Sequence, residues 1–246
     1  PNSSQFISNL AILNRDLGDL DQAYMHIQKA IKLEPNYINA YINCGSILIE
    51  MGSLNEAERI TLKGIKINPK SDKLYCNLSI IQKSLRKYDE AKQSILKAIK
   101  INSDFDIAYS NLAGIYHDLG EFDNALIAIK NALEIQPDSI DAYHNQGIIF
   151  NTQRKLNEAR FAFEKALELG STEPSTLIQL INIFLRLCDW NKINKCMHLL
   201  DQNKYKTKGF DPFTLLYLDD DPKEYFERSK KFYNSFYKRD TTNIKY

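Results

Sequence analysis

Residues 106–139 read DIAYSNLAGIYHDLGEFDNALIAIKNALEIQPDS, and this stretch is one copy of a unit that returns every 34 residues. Its Ala125 has counterparts at Ala23, Ala57, Ala91 and Ala159, and its Tyr109 at Tyr41, Tyr75 and Tyr143. Self-similarity at a fixed period of this length marks a chain built by stacking one supersecondary unit. The unit itself reads as two helices. Apolar residues fall at helical spacing over 107–119 and again over 122–135. Gly120 lies between the two, where glycine readily takes the left-handed angles of a helix C-cap. Pro137 follows the second helix, past the point where its missing N–H interrupts the ladder. Ala113, Ala125 and Ala132 are small where two helices must approach closely. One such hairpin cannot bury its own apolar face, so its stability comes from its neighbours.

Working outward, the copies run 4–37, 38–71, 72–105, 106–139 and 140–173. Gly64 replaces the usual alanine of the second copy, which weakens that helix by roughly 0.5–1 kcal/mol. Arg86 and Arg154 stand in the glycine position, and Ser103 and Ser171 in the proline position. The second helix of the fifth copy is expected to end at Gly170, with Pro174 starting the next. A sixth, degenerate copy spans 174–203, with Ile193 and Leu200 where the others have small residues. The remainder, 204–246, is not another copy. It opens on a Lys-rich connector and continues into a segment with an aromatic helix started by Asp219-Asp220-Asp221-Pro222.

Tyr109, Leu112-Ala113, Tyr116, Gly120, Ala125, Ala132 and Pro137 together resemble the tetratricopeptide repeat. The resemblance implies an all-α, right-handed superhelix in which the first helix of each hairpin lines a concave groove. A C-terminal helical segment is expected to cap the stack.

Composition agrees with a folded helical chain, at 43% hydrophobic and 26% charged residues. The net charge of +1 gives no overall field toward nucleic acid or an acidic membrane surface, and neither is expected as a partner. No run of about 18 apolar residues predicts a membrane span. Cys44, Cys76, Cys188 and Cys196 form no CxxC pair, and so few thiols read as a reducing, cytoplasmic setting. The opening at Pro1 reads as an excised piece of a longer protein.

No catalytic constellation stands out, and no cofactor or metal is expected. His26, His117, His144 and His198 show no metal-ligand spacing. The basic run over 228–239 alternates with aromatics and reads as the solvated face of an amphipathic helix rather than as an RNA contact.

One row does carry chemistry. Asn9, Asn43, Asn77, Asn111 and Asn145 each hold the sixth position of their copy. A primary amide has a carbonyl acceptor and two N–H donors. It can therefore pair with a peptide bond of another chain, and a row of amides on the groove would bind extended polypeptide without reading its side chains. The adjacent position holds Ser8, Ile42, Cys76, Ser110 and His144, which share no side-chain chemistry. The other reading stays open: asparagine also bonds nearby backbone, so the row equally reads as helix-to-helix hydrogen bonds.

Finally, LRLCDW at 185–190 and DPFTLL at 211–216, followed by Asp220-Asp221-Pro222, resemble the junction segment of the O-linked N-acetylglucosamine transferase family, in its SPINDLY-type branch. The resemblance implies that the repeats present protein substrates to a glycosyltransferase domain after Tyr246. It also implies that Trp190, Phe213 and Tyr225 pack the junction against the last repeat. The rival expectation is a stand-alone scaffold that assembles protein complexes. Leu215, Leu216, Phe226 and Tyr233 add the expectation of a homodimer through the C-terminal segment.

Overall fold

The computed structural model describes residues 3–201. The segment over 204–246, with its aromatic helix and its expected self-association surface, lies outside the described residues.

Among the described residues the chain is helical with no strand. Six pairs follow one another: α1 (Ser4–Asp16) and α2 (Leu20–Leu33), α3 (Ile38–Glu50) and α4 (Leu54–Ile67), α5 (Asp72–Ser84) and α6 (Tyr88–Ile101), α7 (Asp106–Asp118) and α8 (Phe122–Ile135), α9 (Ile140–Thr152) and α10 (Leu156–Glu168), α11 (Pro174–Arg186) and α12 (Trp190–Asp201). The first helices begin at 4, 38, 72, 106, 140 and 174, one period of 34 apart. Two compact units divide within α9, the first ending at Ile149 and the second beginning at Phe150.

In the first unit each helix packs on its hairpin partner, and α2 on α3, α4 on α5 and α6 on α7 join neighbouring hairpins. The first helices α1, α3, α5 and α7 also touch in succession. Alanine makes these approaches possible: Ala23, Ala57, Ala91 and Ala125, with Ala30, Ala98 and Ala132, are fully buried. Ile27, Ile95 and Ile129 fill the space between them, and Thr61 takes the same position in α4. Among the described residues its buried hydroxyl has no partner, and a methyl group on Gly45 would come 2.9 Å from it.

The turn between the helices of each pair is the same throughout. Gly18, Gly52 and Gly120 have φ of 82°, 74° and 75°, while Arg86, Arg154 and Cys188 hold 60°, 60° and 55° in the equivalent place. At Gly120 its N–H donates to His117 O, and the next N–H, of Glu121, donates to Tyr116 O. At Arg86 the same two bonds run to Lys83 O and, from Lys87, to Gln82 O. This paired closure satisfies the last carbonyls of the helix whatever the side chain. A non-glycine residue there bears about 1–2 kcal/mol of left-handed strain, partly offset by a stiffer unfolded chain. Arg86→Gly is therefore expected to raise stability by about 0.5–1 kcal/mol. The midpoint of urea unfolding checks it, and a fall would show that the arginine side chain packs.

Charged contacts fix the register of neighbouring hairpins. Lys87 Nζ meets Glu58 Oε2 at 2.9 Å, and Lys92 Nζ meets Glu121 Oε1 at 3.1 Å. These are one site of the repeat with its charges exchanged. Such part-exposed pairs contribute little stability, of order 0–1 kcal/mol, but they penalise a slipped register. Tyr24 donates its hydroxyl to Glu56 Oε1 at 2.8 Å. Burial first, and the Glu56 bond second, push the Tyr24 hydroxyl up to about 12.

In the second unit α10 packs on α11 and α11 on α12 around Phe163, Leu177, Leu180, Ile183, Phe184 and Ile193. Gly170 (φ 93°) closes α10, with Ser171 N–H donating to Ala166 O, and Pro174 opens α11. Trp190 is 60% exposed, and the junction that it is expected to pack with Phe213 and Tyr225 lies outside the described residues. It stands at the position of Leu54, Tyr88 and Phe122, which are half-buried. Those residues lie between hairpins, whereas Trp190 belongs to the last described pair.

Candidate functional site

The structure places the asparagines on the first helices: Asn9 on α1, Asn43 on α3, Asn77 on α5, Asn111 on α7 and Asn145 on α9. Asn9 is exposed and the other four are half-buried. Each of those four donates an amide N–H to the residue 35 places earlier, on the preceding first helix. Asn43 Nδ2 reaches Ser8 Oγ at 3.0 Å, and Asn77 Nδ2 reaches Ile42 O at 3.0 Å and Ser46 Oγ at 3.4 Å. Asn111 Nδ2 lies 3.3 Å from Cys76 Sγ, and Asn145 Nδ2 donates to Ser110 O at 3.0 Å. Asn9 has no earlier first helix to reach among the described residues.

The variable position next to the row now has a reason. Ser8, Ile42, Cys76 and Ser110 all accept, two of them through the main-chain carbonyl. A carbonyl is present whatever the side chain, and its second lone pair is free beside the helical bond. The sequence shows the asparagine and hides its acceptor.

At Asn43, Asn111 and Asn145 the bond uses one of two N–H groups, while Asn77 Nδ2 has two acceptors. Among the described residues no donor reaches Oδ1 of any of the five asparagines. At Asn77 and Asn145 the carbonyl acceptor fixes which end of the amide is nitrogen. Asn43, Asn111 and Asn145 thus keep one acceptor and one donor, the pair that a peptide bond complements, whereas Asn77, with two acceptors on its Nδ2, keeps the acceptor. Gln179, one period beyond Asn145, differs: its Oε1 accepts from Asn151 Nδ2 at 2.9 Å.

Near the row, Lys83 Nζ pairs with Asp118 Oδ2 at 3.4 Å. Gly114 leaves it room, because a methyl group there would lie 3.0 Å from that nitrogen. Cys76 is buried, which pushes its thiol up to about 11, while the Asn111 contact pulls slightly the other way. Cys44 is pushed up to about 12 and Cys196 to about 11, again by burial first. His117 Nδ1 lies 3.1 Å from Asp118 Oδ1. Among the described residues no cluster of three or more His, Cys, Asp or Glu is placed to hold a metal ion. Among the same residues no helix is long and apolar enough to cross a membrane.

Three tetratricopeptide-repeat models match the chain, over residues 15–78, 72–105 and 104–170. The chain is a tetratricopeptide-repeat protein. Solved structures agree on the fold. TTC0263, a thermophilic tetratricopeptide-repeat protein of Thermus thermophilus, is 20% identical with a TM-score of 0.69, covering 74% of this chain and 100% of that one. PilW, a widely conserved type IV pilus biogenesis factor, is 20% identical with a TM-score of 0.68, covering 83% and 95%. MamA is 27% identical with a TM-score of 0.52, covering 65% and 93%. No curated protein matches the chain. As a repeat module of this family, the chain is a protein-interaction module.

Proposed function

We propose that the chain binds extended polypeptide along the first-helix face, through the amides of Asn9, Asn43, Asn77, Asn111 and Asn145. The observation that carries this reading is the acceptor left on each amide, with a donor beside it at Asn43, Asn111 and Asn145, after the inter-repeat bond. Packed helices stand about 8–10 Å apart. An extended chain advances roughly 3.3 Å per residue, so one amide meets about every third residue of a ligand. Backbone pairing of this kind tolerates many sequences.

Asn111→Ala is the variant of choice, because sulfur is a weak acceptor and little inter-repeat bonding is lost with it. Its affinity for a panel of unstructured peptides, read by fluorescence anisotropy, is expected to fall about fivefold or more, as loss of roughly 1 kcal/mol requires. Thermal stability stays within a few degrees. Equal affinity, or a fall in stability large enough to account for the loss, overturns the reading.

A second, finer reading is that the bound polypeptide is presented to a protein O-glycosyltransferase domain. The string over 185–190 supports it. Cys188 within that string takes the ordinary left-handed turn between α11 and α12. The alternative is a scaffold without an enzymatic domain. The sequence encoded after Tyr246 separates the two: several hundred residues of alternating strand and helix pattern favour the transferase, a stop codon the scaffold.

A further inference from the structure

The net charge of +1 hides an uneven distribution. Lys29 and Lys32 on α2, Lys63 and Lys66 on α4, and Lys97 and Lys100 on α6 hold the same two positions of the repeat. All six are exposed, on the side of each second helix away from its buried alanines. Among the described residues none of the six enters an ion pair, whereas Lys83, Lys87 and Lys92 of the third hairpin all do. Lys97 Nζ lies 5.6 Å from the Tyr75 ring, which leaves its charge intact. The acids Asp21, Glu56, Asp89 and Glu90 stand in the first turns of these helices, about 10 Å or more along the axis from the lysines. Glu58 is taken by Lys87. A helix C-terminus favours a cation but does not require this pattern. At the same two positions α8 has Asn131 and Glu134, and α10 has Lys165 paired with Glu168 at 3.1 Å. The stripe also runs along the side of the stack, not across its end. α4 and α6 have hairpins on both sides and are still open here, so a further copy at either end would leave the stripe uncovered.

We propose that the outer face of α2, α4 and α6 docks an acidic, amphipathic helix of a partner polypeptide. Beside the lysines the same face presents Met25, Leu62 and Leu96, which are 60%, 43% and 43% exposed. Cations around an apolar centre fit a ligand that carries carboxylates next to apolar side chains. Successive second helices pack on a shared first helix rather than closely on each other, so their step is about 10 Å or somewhat more. Residues seven apart on one face of a helix stand about 10.5 Å apart. A glutamate at every seventh place therefore meets one lysine pair after another, with leucines between them over the apolar centre. On α2, α4 and α6 no aromatic residue is exposed, Tyr24 and Tyr88 being half-buried. Single-stranded nucleic acid stacks on aromatic side chains, and a bilayer interface takes Trp or Phe, so a polypeptide fits this face better than either. The chain's own segment over 204–246 carries ten Lys or Arg against seven Asp or Glu, and its net positive charge opposes the stripe.

The probe is a labelled helical peptide of about 20 residues, with Glu and Leu on one face and Gln and Ala elsewhere, and its binding to the full chain is read by fluorescence anisotropy. Saturable binding is expected, weakened about tenfold or more between about 0.05 M and 0.5 M salt. Lys63→Glu together with Lys97→Glu is expected to weaken it about tenfold or more. Lys130→Glu, on α8 outside the stripe, changes it less than about twofold. Asn111→Ala leaves it unchanged, so this face and the amide row are read separately. These side chains are exposed or only half-buried, and circular dichroism checks that the variants keep the fold. No binding, equal binding of a peptide with Gln in place of Glu, or an equal loss from Lys130→Glu overturns the proposal. Tighter binding of single-stranded RNA or of phosphatidylserine vesicles, lost in the same double variant, assigns the face to another anion and overturns it too. A synthetic 204–246 peptide that displaces the probe, or a dimer in sedimentation that the double variant dissociates, assigns the face to this chain itself with the same consequence.

Discussion

Gly64→Ala is expected to lower stability by about 1–3 kcal/mol, although it puts the best helix former in place of glycine within a helix. Propensity favours the substitution by roughly 1 kcal/mol, but packing opposes it more strongly. A methyl group at Gly64 would lie 2.9 Å from Tyr41 Cβ and 3.0 Å and 3.1 Å from the two Leu74 methyl groups. Tyr41 Cβ sits on the backbone of α3 and cannot swing aside. Ala30 and Ala40, Ala98 and Ala108, and Ala132 and Ala142 hold these two positions elsewhere, and here glycine and leucine share the same volume unequally. Leu74→Ala alone leaves a cavity at a fully buried position and costs about 2–5 kcal/mol. The double substitution restores the alanine pair, so the two losses are expected not to add. Urea midpoints for the four proteins give the coupling directly. Additive losses would mean that the two residues do not share one space.

The second large effect concerns the amide row. Asn77→Asp keeps the shape of the side chain and removes its donor. An ionised carboxylate then faces the Ile42 carbonyl across the 3.0 Å now spanned by the N–H. The loss is expected to be about 1–3 kcal/mol or somewhat more, since the acceptor left behind is partly buried and the new group is charged. Asn111→Asp is the internal control. Its neighbour is the Cys76 thiol, which can turn its S–H toward a carboxylate. Its cost should be clearly smaller. Equal costs at the two sites, measured by urea unfolding at neutral pH, would show that the Asn77 amide does not join the helices.

The residues that repeat every 34 places told the fold, because period alone decides which side chains share a face. Helix starts at 4, 38, 72, 106, 140 and 174 match the copies read from Ala125 and Tyr109. The asparagine row was equally legible in position. Its bonding was not, because two of the acceptors are main-chain carbonyls and leave no mark in the sequence. Gly64 was read as a flaw in one helix, whereas its reason lies ten residues away in Leu74.

The exchanged charges between hairpins bear on how such a chain can change its length. Excision of 72–105, one whole copy, would keep the reading frame and every helix boundary. It would also bring Glu58 against Glu121, two anions where each now meets a lysine. The copies are thus alike in shape but not interchangeable in order, and loss of this one copy carries an electrostatic penalty.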